Sequence, residues 1–239
     1  AIPNLCADVG SDEDGDTFKS LLKKRGIESR GILKCDNRVT TVKNRIISGS
    51  QQMMRIDSET EKPLNELEHK TLIQLVKQLV DEVDLVIFED YDKGCLNNDI
   101  ISESIAYCIA KELKEGLKIE FNVDNKSELR KAVELLNKEL AFDKALITLS
   151  EKGVYLYDKD QPEISIPAHI RNIADVSGAG DTVISIAGLC LAMGLEDKVI
   201  ASLANLGGGI VCESLGVVPI DRERLMKEAK ENHIFELQE

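Results

Sequence analysis

No apolar run in the chain approaches the ~20 residues that a membrane-spanning helix needs, and the first residues lack the basic-then-apolar order of a signal peptide. A soluble, cytoplasmic protein is the expectation. Positive charge is scarce as well: 30 Lys and Arg stand against 43 Asp and Glu, a net charge of −13. Binding nucleic acid or an anionic membrane takes a basic surface, so neither partner is expected. A small anionic substrate remains open, because a few convergent cations and backbone N–H groups can build a local positive site on an acidic protein. The three histidines, His69, His169 and His233, have no Ser, Cys or spaced ligand set beside them and read as surface or structural residues. Six cysteines are scattered without a Cys-x-x-Cys pair. That pattern suits buried reduced thiols, and no metal cluster is expected from them.

With 239 residues, 43% of them hydrophobic, the chain can bury a full core. One domain with an elaboration is the simplest reading. The stretch that organises it is Asp175-Val-Ser-Gly-Ala-Gly-Asp-Thr182, between an irregular segment and an apolar, helix-compatible run from Thr182 to Met193. Glycines on both sides of Ala179 let the backbone turn tightly and bring consecutive N–H groups toward a ligand. Followed by a helix, those donors coincide with the positive end of its dipole, a site for phosphate or for charge developing in phosphoryl transfer. Asp181 comes next, where a carboxylate could accept a proton from an attacking hydroxyl. The plainer alternative is a glycine turn with Asp175 or Asp181 as an N-cap.

Before that octet, a strand-like piece over residues 4–9, a turn at Gly10 to Gly15 and a helix from about Thr17 to Lys24 suggest a wound sheet. Residues 38–57 then alternate around Ser48-Gly-Ser50 as a small antiparallel hairpin. Lys43 and Arg45 are two apart and face the same way on a strand, near Gln51, Gln52 and Arg55, so they could clamp an anion. Taken alone, the plainer reading is a solvated, edge-protecting face. A helix over Leu64 to Val80 follows, then the apolar run Asp84 to Phe88, expected as a buried strand. Beyond its carboxyl end, where wound sheets place ligands, lies Glu89-Asp-Tyr-Asp-Lys-Gly94. It is either a ligand loop or an acidic turn before a helix of about Asp99 to Lys114.

The octet resembles the C-terminal signature of the PfkB/ribokinase family of sugar kinases. The run from Thr40 to Asp57 is similar to a segment of that family's heptose-phosphate kinase branch, and Asp90, Tyr91, Lys93 and Gly94 match the branch's Asp-Tyr-x-Lys-Gly motif. The resemblance implies an α/β, ribokinase-like three-layer fold with a small β lid at about 36–57. It implies ATP and Mg²⁺ as cofactors and a sugar phosphate, heptose 7-phosphate, as substrate. It also makes Asp181 the catalytic base, and the amides of Gly178, Ala179 and Gly180 the anion hole. Ser150, Glu151 and Gly153, at a turn after the strand Lys144 to Leu149, become nucleotide-side residues. Asn205 and Gly208 do so within the small-residue run Ala201 to Val211, whose other reading is close helix packing. Lys43, Arg45, Gln51, Asp90 and Lys93 become substrate-side residues, and a homodimer through the lid is expected.

Two departures accompany the match. The family's first strand and early Gly-Gly region are absent before Ala1. Its Pro-Asn-x-x-Glu segment, which helps organise Mg²⁺, is absent where Leu117 to Val123 leads almost directly into a helix over Ser127 to Leu140. Missing residues before Ala1 and near 109–116 are therefore expected. The rival readings are a kinase for another sugar and a non-catalytic nucleotide- or sugar-binding module. No His-x-Gly-His motif is present, so a fused nucleotidyltransferase activity is not expected within this chain.

Overall fold

In the computed structural model, residues 2–49, 51–80, 82–87, 91, 93–95, 126–140 and 142–236 are described. They belong to two compact units, residues 1–105 and 106–239.

The first unit opens with β1 (Ala7–Gly10), α1 (Glu13–Lys24) and β2 (Ile32–Cys35). The two strands pair in parallel, Ala7 opposite Ile32 and Gly10 opposite Cys35, as a crossover helix requires. Val9, Leu22 and Ile32 form the buried centre, with Ala7, Phe18 and Ile27 packed around them. The helix starts earlier than its apolar spacing suggests because Asp12 caps it: Asp12 Oδ1 accepts from Gly15 N at 2.8 Å, and Glu13, Asp14 and Asp16 complement the dipole. The same carboxylate accepts from Thr40 Oγ1 at 2.6 Å and from Thr40 N at 2.8 Å, which pins the entrance of the following hairpin. That hairpin is β3 (Val42–Ser48) and β4 (Gln51–Ser58), antiparallel, with a register shift between Ile46 and Ile47. α2 (Glu66–Val80) begins at a capping box: Asn65 Oδ1 accepts from Glu68 N at 2.9 Å, while Asn65 N donates to Glu68 Oε2 at 2.9 Å. The strand expected over Asp84 to Phe88 does not form across residues 84–87. An apolar run becomes a strand only where a neighbour supplies ladder partners, and among the described residues it has none. The expected helix at 99–114, the segment at 117–123 and the proposed break near 109–116 lie outside the described residues.

The second unit contains α3 (Lys126–Leu140), β5 (Lys144–Thr148), a 3₁₀ turn (Ser150–Lys152), β6 (Val154–Asp158), β7 (Ile164–Ile166), α4 (Ala179–Ala192), α5 (Asp197–Val211) and α6 (Arg222–Glu231). β5, β6 and β7 make one antiparallel sheet, and strand alternation sorts its side chains between two cores. Ala145, Ile147, Tyr155 and Tyr157 pack with Leu129, Val133 and Leu136 of α3. Leu146, Val154 and Leu156 face the opposite way, into a cluster with Ile186, Ala187, Ala204 and Leu206 of α4 and α5. Helices thus cover both faces of the sheet. Truncating a fully buried member such as Ile147 to alanine would cost about 2–5 kcal/mol.

The five described cysteines are free, and Cys35, Cys190 and Cys212 are buried. Burial pushes the thiols of Cys35 and Cys95 up to about 12, the chemistry of inert core thiols. Among the described residues no helix is long and apolar enough to cross a membrane.

Candidate functional site

The octet occupies the start of α4 in the second unit. Helix α4 begins at Ala179, inside the glycine turn, and not after it. Gly178 is its N-cap with φ 80° and ψ 2°, a left-handed conformation that costs a side-chain-bearing residue roughly 1–2 kcal/mol. Upstream, Asp175 is the clamp: its Oδ1 accepts from Ser177 N at 2.9 Å and its Oδ2 from Gly216 N at 3.0 Å. Ala174 N and Asp175 N both donate to Cys212 O, at 2.8 and 3.2 Å, so the octet is fastened to the end of α5. Thr182 N and Thr182 Oγ1 return to Gly178 O at 3.0 and 2.8 Å. Of the plainer alternatives, the N-cap belongs to Gly178, and neither Asp175 nor Asp181 supplies it.

Ala179 N donates to Val176 O at 3.2 Å, the bond that closes the turn. Gly180 differs. It is exposed, a side-chain carbon added there would meet nothing within 4 Å, and its N–H sits where helix geometry provides no intrahelical acceptor. Asp181, also exposed, is in the first turn of α4. The arrangement provides an open dipole end, an unobstructed backbone and a carboxylate beside it.

The nucleotide-side candidates fall into two groups. Ser150 (φ 56°) and Glu151 lie exposed on the turn between β5 and β6, which Leu149 N closes by donating to Gly153 O at 2.8 Å. Buried Gly153 lies against the backbone of Ile166 to Ala168, and Asn205 Nδ2 donates to Pro167 O at 2.8 Å, so both candidates converge on the segment after β7. Gly208 faces α4: an added side-chain carbon would lie 2.6 Å from Val183 Cγ2. Of the two readings of this small-residue run, close helix packing is what this face displays.

In the first unit, Lys43 and Arg45 share a face of β3, with Asp57 and Arg55 opposite them in register. Lys43 Nζ lies 3.4 Å from Asp57 and 3.2 Å from Glu59 Oε2. Lys93 Nζ lies 2.9 Å from Glu59 Oε1 and 3.0 Å from Glu61. Two of the substrate-side candidates are therefore joined by Glu59, which sequence reasoning missed although Asp57, Glu59 and Glu61 recur at strand spacing. Hydrogen bonds from Lys93 and then Lys43 hold the Glu59 carboxyl below its ordinary range, and Glu59 and Glu61 raise the Lys93 ammonium. Gln51 opens β4, paired with Ser48, whereas Asp90 lies outside the described residues. The other face of the hairpin exposes three apolar side chains, Ile46 (48%), Met54 (54%) and Ile56 (52%), beside Asn44. Among the described residues, no group of three or more His, Cys, Asp or Glu side chains could hold a metal ion.

A sheet covered by helices on both faces, a charged β hairpin and a glycine turn opening a helix define the ribokinase-like α/β fold. The chain is similar to Arabidopsis thaliana ribokinase complexed with ribose and ATP, with a TM-score of 0.67 and 17% identity over 93% of this chain and 80% of that one. The sequence pattern of the pfkB family carbohydrate kinases matches residues 3–223, and the chain belongs to that family of phosphotransferases acting on sugars. It is 30% identical over 251 residues to the bifunctional protein HldE of Desulfatibacillum aliphaticivorans, covering 95% of this chain and 51% of that protein. It is 33% identical over 239 residues to the HldE of Helicobacter pylori strain 26695, covering 89% and 51%. The chain spans about half the length of these curated relatives.

Proposed function

We propose that the chain phosphorylates a heptose 7-phosphate, moving the γ-phosphoryl group of ATP to the anomeric hydroxyl of D-glycero-D-manno-heptose 7-phosphate. The product is the 1,7-bisphosphate, a precursor in ADP-heptose and lipopolysaccharide core synthesis. Both units would form one cytoplasmic kinase domain, a reading supported by a family match that runs across both.

The observation that carries the proposal is Asp181 in the first turn of α4, beside an unobstructed Gly180. The anomeric oxygen attacks the γ-phosphorus, its proton passes to Asp181, and the bridging oxygen leaves with ADP. The N–H groups of Gly178 and Gly180 stabilise charge on the transferred group, a role worth about 3 kcal/mol of barrier per donor. The open space at Gly180 suits a nucleotide phosphate, with Ser150, Glu151, Gly153 and Asn205 on the nucleotide side. Lys43, Arg45, Gln51, Asp90 and Lys93 would hold the sugar phosphate. Mg²⁺ would neutralise phosphate charge and keep several waters of its own; no described acid cluster is assigned to it, and no step depends on one.

A second reading, a kinase for an unphosphorylated sugar, is favoured by one observation: Lys93 is already matched by Glu59 and Glu61. ADP release by the full-length protein, measured over a panel of free and phosphorylated sugars, separates the two. The highest kcat/KM is expected for heptose 7-phosphate. A preference for a free sugar would install the second reading, and ATP binding without turnover on any sugar would make the chain a binding module.

A further inference from the structure

Arg38 follows β2 and is nearly sequestered, its side chain 5% exposed against 9% for its partner Asp8. One guanidinium makes three connections. Nε donates to Asp8 Oδ2 at 2.6 Å, Nη1 donates to Lys62 O, and Nη2 donates to Lys93 O at 2.5 Å. A buried cation must be paired and hydrogen-bonded to be tolerated, and the planar fork of arginine can reach a carboxylate and two carbonyls together. The segments it joins are otherwise pressed close. Gly94 has φ 73°, and a side-chain carbon there would sit 2.4 Å from Lys62 O; Leu64 N donates to Gly94 O at 3.1 Å. Lys93 therefore has its carbonyl on Arg38 and its ammonium on Glu59 and Glu61, which precede Lys62.

We propose that Arg38 is a positioning residue for substrate recognition: anchored by Asp8, it holds the Lys93–Gly94 turn so that the Lys93 ammonium is presented to the phosphate of the sugar substrate. The inference rests on the reading of Lys93 as a phosphate contact. Arg38 itself touches no substrate and acts through Lys93.

Initial rates of Arg38→Lys, Lys93→Ala and the double variant, varying sugar phosphate and ATP separately, test it. Arg38→Lys keeps a charge opposite Asp8 but loses the planar fork. Its KM for the sugar phosphate is expected to rise at least about tenfold, as misplacement of a positioning group does, with the KM for ATP unchanged. The double variant is expected to be no worse than Lys93→Ala alone. An unchanged sugar-phosphate KM in Lys93→Ala sinks the reading beneath. A rise there, with an unchanged KM in Arg38→Lys or with additive effects in the double variant, overturns the positioning role alone. If Arg38→Lys does not fold, Asp8→Asn, which keeps an oxygen for Arg38 Nε, takes its place under the same two outcomes.

Discussion

Lys43 and Lys93, distant in sequence, meet on one carboxylate: Glu59 Oε2 lies 3.2 Å from Lys43 Nζ and Glu59 Oε1 lies 2.9 Å from Lys93 Nζ. An incoming phosphate must compete with that carboxylate for both ammonium groups. Glu59→Gln keeps the shape and removes the competitor. Inorganic phosphate is expected to inhibit the variant more tightly, by roughly two- to fivefold, the scale of a solvent-exposed ion pair, and more steeply with falling salt. Unchanged or weaker inhibition would separate the two lysines from anion binding.

Replacing Asp181 by asparagine removes a proton acceptor without altering size. Turnover is expected to drop by about 10²–10⁴-fold while ATP binding, followed by calorimetry, persists. Near-normal turnover would strip Asp181 of its role as base.

The two glycines of the turn should respond in opposite ways. Gly178→Ala forces a left-handed alanine 3.1 Å from Val217 Cγ1, and a fall in Tm of roughly 2–8 °C is expected. Gly180→Ala, inside α4 with open space around it, should leave stability unchanged or raise it by about 0.5–1 kcal/mol. Turnover should fall all the same, because the methyl group occupies the approach to the phosphoryl group. A Gly180→Ala enzyme with full kcat would argue against a phosphate there.

How much of this could be read in advance varies along the chain. α3 begins within one residue of the helix expected over Ser127 to Leu140, and β5 and β6 carry a clean alternation because each face meets a helix layer. The octet was legible as a glycine turn leading into a helix, but the start of α4 was not: Gly-Ala-Gly reads as loop, and only the left-handed Gly178 brings the helix into it. β2 was missed, since four residues with a lysine among them become a strand only beside β1. Arg38 gave no signal at all. Nothing in Cys35-Asp-Asn-Arg38 distinguishes a buried cation, whose partners are a residue far upstream and two backbone carbonyls.

Acid should loosen the second unit in two stages. Burial, and then the Arg171 charge, lower the His169 imidazole. Hydrogen bonds from Arg224 and Arg171 lower Glu213; for Glu228 burial pulls upward, but the same two arginines outweigh it. Each folded value lies below the unfolded one. The associated stability is therefore complete above about 6.5 for the histidine and about 4.3 for the glutamates, and is lost as pH falls through the folded values. Tm measured from pH 7.5 to 3.5 should decline in those two windows, and His169→Asn should flatten the upper one. A Tm that rises between pH 7 and 5 would contradict this assignment.

We propose that the homodimer expected from the family resemblance pairs through the hairpin face that carries Ile46, Met54 and Ile56. Ile56→Glu on that exposed face is expected to shift sedimentation from dimer to monomer without lowering Tm. A wild-type monomer at the same concentration would refute the dimer outright.

Arg171, the neighbour of His169, is tied to Glu213 and Glu228, and Arg224 bridges the same two carboxylates, Nε lying 2.7 Å from Glu228 Oε1. Two corners of that ring stand on α6, past residue 223 where the family match stops. An expression fragment trimmed to the family boundary would strand the Arg171 guanidinium, 8% exposed, with one acid in place of two. The last helix thus belongs to the folding unit that carries the glycine turn, and a working boundary for this kinase lies beyond α6.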